Sequence, residues 1–159
     1  MAIPSIRIIP APQNPPMQAV YDLLRQSFAY MEGRIDPPSS LTRMSFDDLC
    51  RKAQNETLVI AMEGEELAGC LFCYPRADWL YVGKMAVQSS RRGQGIARKL
   101  IEVAFDLAEE QRLHGLELET RVELTENHRA FENLGFIEIS RSAHEGYDQP
   151  TSICMRAMI

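Results

Sequence analysis

No stretch of the 159 residues approaches the roughly 20 consecutive apolar residues that a bilayer-spanning helix needs. Basic charge is also scarce: 17 Lys and Arg stand against 22 Asp and Glu, a formal net charge of -5. Non-specific nucleic-acid binding needs a broad basic surface, so the charge argues against that class, although not against a small local anion site. There are only three histidines and four cysteines. Cys70 and Cys73 form a C-x-x-C, but no second such pair exists, and residues three apart in a strand point to opposite faces. Two buried thiols are expected there rather than a metal or redox site. The opening "MAIPSIRIIPAPQNPP" has no charged segment followed by a long apolar one, so we expect no cleaved signal peptide and a cytoplasmic location.

What is present is the composition of an ordinary globular protein, 45% hydrophobic and 25% charged, of a length that suits one domain over residues 1–159. "SIRIIP" alternates and reads as a first strand, followed by a proline-rich connection, "PAPQNPP". "MQAVYDLLRQSFAYM" places Val20, Leu23, Leu24 and Phe28 on one helical face, and "SFDDLCRKAQ" reads as a second helix capped by Ser45. Gly64 lies between two apolar runs that read as a hairpin, and Trp79 to Val87 reads as another strand. From Gly95 a helical stripe runs through Ile96, Leu100, Ala104 and Leu107. "GLELET" alternates Leu116 and Leu118 with Glu117 and Glu119. A short helix follows, with Thr125 as its expected cap and Gly135 as its stop, then two closing strands. Consecutive strands imply antiparallel pairs, and the strand–helix–strand unit from Trp79 to Thr120 implies one parallel pair. The fold class is therefore α/β, a mixed and mostly antiparallel sheet flanked by helices.

The junction "VQSSRRGQGIARKL" carries the chemistry. A helix starting near Gly95 leaves its first N–H groups unpaired at the positive end of its dipole. Gly93 and Gly95 permit backbone angles closed to other residues, and Arg91 and Arg92 add positive charge. Such an assembly suits a pyrophosphate. The nucleoside-triphosphate loop G-x-x-x-x-G-K-[ST] is absent, and the dinucleotide pattern G-x-G-x-x-G fails at Arg98.

"RGQGIA", with Arg92, Gly95 and Ala97 in the pattern [QR]-x-x-G-x-[GA], resembles the acetyl-CoA loop of the GNAT family of N-acetyltransferases. "GKMAV" before it and "FENLGF" after it resemble that family in order and spacing. The resemblance implies a GNAT-like sheet whose parallel strands splay apart after Val87 to admit acetyl-CoA, the acetyl donor. Backbone groups of Met85, Ala86 and Val87 would meet the pantetheine arm, and the segment Arg91, Arg92, Gly93, Gln94, Gly95, Ile96 and Ala97 the pyrophosphate. Asn127 and Phe131 would also contact the cofactor. Many members carry a tyrosine where Phe131 stands, often proposed to protonate the leaving thiolate; Phe131 has no proton to give.

A base is also needed, since an alkyl ammonium must lose a proton before it attacks. The family often places an acid or histidine two pleats before the pantetheine contacts; counting by twos from Val87 through Met85 and Gly83 reaches Tyr81, a poor base at neutral pH that is expected to contact the acceptor instead. Glu119 and His144 are the candidate bases. The loop "AYMEGRIDPPSS", with Glu32 and Arg34, and the segment "SAHEGYDQPTS", with Tyr147, are the expected walls of an acceptor pocket. The implied function is acetyl transfer to a primary amine of a small molecule or peptide, with an acyl-CoA-binding sensor of little turnover as the alternative. No metal, nucleic acid or membrane partner is expected, and a homodimer is compatible with these features.

Overall fold

The computed structural model describes residues 6–10 and 13–159; Ser5 of the first expected strand, and Ala11 and Pro12 of the connection after it, lie outside the described residues. The elements are β1 (Ile6–Pro10), α1 (Met17–Ala29), α2 (Phe46–Asn55), β2 (Thr57–Glu63), β3 (Glu66–Arg76), β4 (Trp79–Val87), α3 (Ile96–Glu110), β5 (Gly115–Arg121), α4 (Thr125–Asn133), β6 (Ile137–Ser142) and β7 (Ser152–Met158). They build one seven-stranded sheet in the order β1-β2-β3-β4-β5-β7-β6. Among the described strands only β4 and β5 run parallel. None of the described helices is long and apolar enough to cross a membrane.

Each face of the sheet has its own core. On one, Ile96, Leu100, Ile101, Ala104 and Ala108 of α3 pack on Val59, Leu71, Leu80, Val82 and Leu116. Helix α3 thus turns further about its axis than the expected stripe: Leu107 is half-buried, and Ala108 takes the core position. Gly69 permits this packing, because a Cβ there would lie 3.0 Å from the Ala86 carbonyl and 3.2 Å from Ile96 Cγ2. On the other face Val20, Leu23 and Leu24 of α1 and Leu49 of α2 cover Leu58, Ile60, Cys70 and Phe72. Each fully buried Leu or Ile contributes about 1.5–3 kcal/mol.

Local signals mostly hold. Ser45 caps α2, accepting from the Asp48 N–H at 3.1 Å while the Ser45 N–H donates to Asp48 Oδ2 at 3.0 Å. Thr125, by contrast, is not a cap: Leu124 holds the N-cap position of α4, with no side-chain cap hydrogen bond. Its apolar side chain is buried, so tertiary packing decides where that helix begins. Cys70 and Cys73 fall in the two different cores and are both fully buried, as their spacing requires.

The alternation of β5 conceals an ionic clamp. Glu117 is only 5% exposed yet keeps its charge. It accepts from Arg76 Nε at 3.0 Å and from Arg156 Nε at 2.8 Å. Burial pushes its carboxyl up, but the hydrogen bonds and charges of Arg76 and Arg156 outweigh this and hold it below the usual carboxylate range. Arg76 stacks on Tyr81, 4.0 Å from the ring centre, and Arg156 on Trp79 at 4.4 Å.

Two outcomes follow from this packing. Glu117→Gln leaves two cations without their shared anion and is expected to cost about 2 kcal/mol at pH 7, discounted because both arginines are partly exposed. Its folded-state carboxyl titrates below its unfolded value, so the stabilisation is present above pH ~4.3 and fades as pH falls through the lowered value. Urea unfolding of both proteins at pH 7 and pH 3 checks this: the gap must narrow at pH 3. Burial pushes the thiols of Cys70 and Cys73 up to about 12, with the Glu56 charge adding to the effect at Cys73. A thiol reagent at pH 8 should therefore titrate Cys50 and Cys154 in the native protein, and all four cysteines only after denaturation.

Candidate active site

The parallel pairing of β4 with β5 consists of Leu80↔Leu116 and Tyr81↔Glu117 and goes no further. Beyond them β5 keeps β7 as its partner and β4 keeps β3. The strands therefore diverge after Tyr81, not after Val87 as the family resemblance implied. The reason is geometric: a free edge at Met85–Val87 requires the neighbouring strand to have left already.

A bulge lies within the freed stretch. Cys70 pairs with Ala86 and Phe72 with Gly83, so Leu71 alone faces both Lys84 and Met85. Lys84 takes the extra position with φ +50, a left-handed conformation uncommon for a residue with a side chain. The buried Cys70 thiol lies 3.8 Å from the Lys84 carbonyl and donates to it. The bulge reverses the facing of the strand: Leu80 and Val82 belong to the α3 core, whereas Ala86 belongs to the α1–α2 core. Counting by twos from Val87 to Tyr81 therefore fails. Met85 and Val87 pack towards the α3 core, and Tyr81 and Gly83 share the face of Ala86.

Between the diverging strands opens a cleft of about 480 Å³. Tyr81 and Gly83 through Val87 line one wall, and Leu118 through Arg121 the other. Arg92 and Ala97 of the turn into α3 also line it, as do Asn127 and Phe131 of α4. Ser39, Ser40, Lys52 and His144 complete the lining. Phe131 packs edge-on against Phe136, ring centres 5.9 Å apart, so α4 presents an apolar surface at that point. Asn127 Nδ2 donates to the Tyr30 hydroxyl at 3.2 Å, which joins α4 to the end of α1.

The turn into α3 is built as its sequence implies. Gly93 and Gly95 have φ +81 and +79, and Gly95 is the N-cap with no side-chain hydrogen bond. The Arg92 N–H turns back to the Ser89 carbonyl at 3.5 Å. Among the described residues, no acceptor receives the N–H groups from Gly93 through Arg98, until Lys99 donates to the Gly95 carbonyl at 3.1 Å. These open amides are the groups that can hold an anion. Of the segment 91–97, Ile96 faces the core and Gln94 is exposed. Arg91 does not face the cleft: its guanidinium pairs with Glu63 and, at 2.6 Å, with Glu66. The carboxylates of the β2–β3 hairpin capture it, which leaves Arg92 as the arginine of this turn that lines the cleft.

The base candidates are also separated by their surroundings. Glu119 is half-exposed on the β5 wall, 3.6 Å from Arg76 Nη2. Tyr81 is held protonated, pushed up by burial and then by the Glu119 charge. His144 reaches the cleft edge with Nδ1 hydrogen-bonded to Thr151 Oγ1, which also accepts from the His144 N–H at 2.9 Å. Glu32 and Arg34 stay outside the cleft; Arg34 pairs with Glu126 at 2.6 Å and stacks on Tyr30. Tyr147 is also not a cleft wall. Its hydroxyl donates to Asp36 Oδ1 at 2.5 Å and so ties the β6–β7 segment to the loop after α1. That loop is further pinned by Arg121, whose guanidinium donates to the carbonyls of Pro37 at 2.8 Å and Pro38 at 3.2 Å. Lys84, Ser40 and Arg121 were absent from the sequence-based site. Only the bulge, an extra residue invisible in strand periodicity, could have pointed to Lys84.

Comparison with known proteins agrees with this geometry. A 61-residue stretch, 38% of this chain, is 41% identical to N-alpha-acetyltransferase 30 of Saccharomyces cerevisiae and spans 35% of that protein. An acetyltransferase of Streptococcus agalactiae superposes with a TM-score of 0.75 at 21% identity, covering 99% of this chain and 100% of that one. A GNAT family acetyltransferase of Elizabethkingia anophelis, solved with acetyl-CoA bound, superposes with a TM-score of 0.69 at 19% identity, covering 97% and 98%. At such identities the two structures attest the fold. The family model for acetyltransferases of the GNAT family matches residues 17–136, and with the splayed strands and the open amides before α3 in place, this chain belongs to the GNAT acetyltransferase family.

Proposed function

We propose that this protein transfers the acetyl group of acetyl-CoA to a primary amine of a small molecule or peptide. The observation that carries this reading is the run of open N–H groups from Gly93 to Arg98, set at the end of a cleft whose wall is the freed edge of β4. The amides and Arg92 suit the pyrophosphate, and the Met85–Val87 edge suits the pantetheine amides, as an added strand would. The acetyl-CoA-bound relative and the alpha-amine acetyltransferase named above support the donor and the peptide branch of the acceptor class.

In the transfer step the neutral amine nitrogen attacks the thioester carbon and forms the C–N bond. The C–S bond breaks, the thiolate leaves, and the amine's proton passes to a base. Glu119, half-exposed on the cleft wall beside Arg76, and His144, whose Nδ1 is engaged by Thr151, are the two candidates for that base. Tyr81, kept protonated, suits orienting the acceptor rather than taking its proton. Phe131 packs against the cofactor and donates nothing. A thiol with an ordinary value near 8.5 leaves as thiolate tolerably well at neutral pH, so direct attack suffices without a protein acid. That apolar position also favours the second reading, a sensor that holds acyl-CoA with little turnover.

Gly95→Val forces a branched side chain into φ +79 and distorts the open amides. Calorimetry should show CoA affinity falling at least about tenfold while the thermal transition persists; unchanged affinity contradicts the cofactor site. Glu119→Gln should lower kcat/KM by about 10²–10³-fold, with CoA affinity unchanged. Thioester consumption with amino acids, polyamines and peptides reads both this and the sensor alternative, which predicts binding without turnover.

A further inference from the structure

The protein carries a net charge of -5, yet its cleft is lined by Lys52, Lys84, Arg92 and Arg121 against one carboxylate, Glu119. Two of these cations are engaged within the protein, and Arg92 goes to the pyrophosphate in the acetyl-transfer reading. Lys52 pairs with Glu56 at 2.6 Å, Arg121 is spent on the carbonyls of Pro37 and Pro38, and Arg92 stands at the turn before α3. Lys84 is different. Among the described residues it has no carboxylate partner, and its Nζ donates only to the neutral Ser40 hydroxyl at 2.9 Å. It is also held at a left-handed bulge position, where glycine or asparagine would fit with less strain. A partly buried cation pays a desolvation cost that one hydroxyl does not offset, and burial, with the Lys52 and Arg121 charges, draws its pKa down against the pull of Glu56.

We propose that Lys84, with Ser40, forms an anion subsite that binds a carboxylate carried by the acceptor amine. The inference rests on the acetyl-transfer reading and names its substrate class. One free ammonium beside one hydroxyl matches the charge and the two oxygens of a carboxylate. A phosphate dianion needs more donors than remain free here. Because Lys84 immediately precedes the pantetheine-facing Met85–Val87 edge, a carboxylate held on its ammonium tethers the amine next to the thioester. Recognition by Lys84 also sets the acceptor apart from polyamines, which the surrounding cations repel. The carboxylate belongs either to a free amino acid or to an acidic side chain near a peptide's amino terminus.

The test uses acetylated products as probes, titrated by NMR into the full-length protein with and without saturating CoA. N-acetylglycine carries an α-carboxylate, the α-amide of N-acetylaspartate carries only a side-chain carboxylate, and N-acetylglycinamide carries none. At least one acid should bind about tenfold or more tightly than the neutral amide and shift the backbone signals of Lys84 and Ser40. Whichever acid prevails identifies the source of the carboxylate. Lys84→Met should abolish the preference while CoA affinity stays unchanged, and Lys84→Arg should retain part of it. Ser40→Ala, which keeps the cation, should weaken the acid and leave the neutral amide alone; it also serves should Lys84→Met fail to fold. Equal binding of acids and amide, no binding of either acid, or an acid preference that survives Lys84→Met overturns the subsite. Failure of CoA itself to bind overturns the acetyl-transfer reading instead, and the two failures are read in separate titrations.

Discussion

The whole architecture turns on two central strands that must stop pairing without the sheet coming apart. β4 and β5 share only the pairs at Leu80 and Tyr81. At the last of these, Glu117 reaches Arg76 on β3 and Arg156 on β7, so one carboxylate joins the strands on either side of the fork. A buried ionic clamp is a costly way to stabilise a core, and well-packed apolar residues often do as well. Here it sits where backbone hydrogen bonds between strands run out and side chains must carry the connection. The stacking of Arg76 on Tyr81 and of Arg156 on Trp79 extends the clamp to β4 itself.

Beyond the fork, the two faces of the sheet have separate duties. Helix α3, seated on Leu80, Val82 and Leu116, aims its open N-terminus at the gap, and Gly69 lets it sit close enough to do so. Helices α1 and α2 on the other face bring the loop containing Ser39 and Ser40 to the cleft. The bulge at Lys84 couples the two. It turns Tyr81 and Gly83 towards the α1–α2 side while Met85 and Val87 remain with the α3 side. A strand without it would present one residue set along the whole cleft; with it, the two stretches of the strand present different faces to the cleft.

The charge distribution follows the same division. The anionic exterior keeps carboxylates on the outer surfaces, and several of them hold arginines away from the cleft: Glu63 and Glu66 take Arg91, and Glu126 takes Arg34. Cations inside the cleft are spent on Glu56 or on carbonyls, apart from Lys84 and Arg92. A field that is negative outside and positive within favours anionic ligands entering from solvent.

Element order, strand limits such as Trp79–Val87, the opposite facing of Cys70 and Cys73, and the glycine turn before α3 were all legible in the sequence. Each depends on local periodicity or on φ preferences that neighbouring residues express directly. The family motif at Arg92, Gly95 and Ala97 was legible for the same reason: a backbone cradle is made by consecutive residues. What lay beyond the sequence depends on contacts between distant segments. The point of strand divergence, the bulge that adds one residue opposite Leu71, and the capture of Arg91 by the β2–β3 hairpin all fall in this class. So do the burial of Glu117, the capping of α4 at Leu124, and the placement of Lys84 rather than Arg34 in the cleft. A charged side chain's role is set by which partner reaches it first across the fold, and residue spacing along one strand carries no information about that.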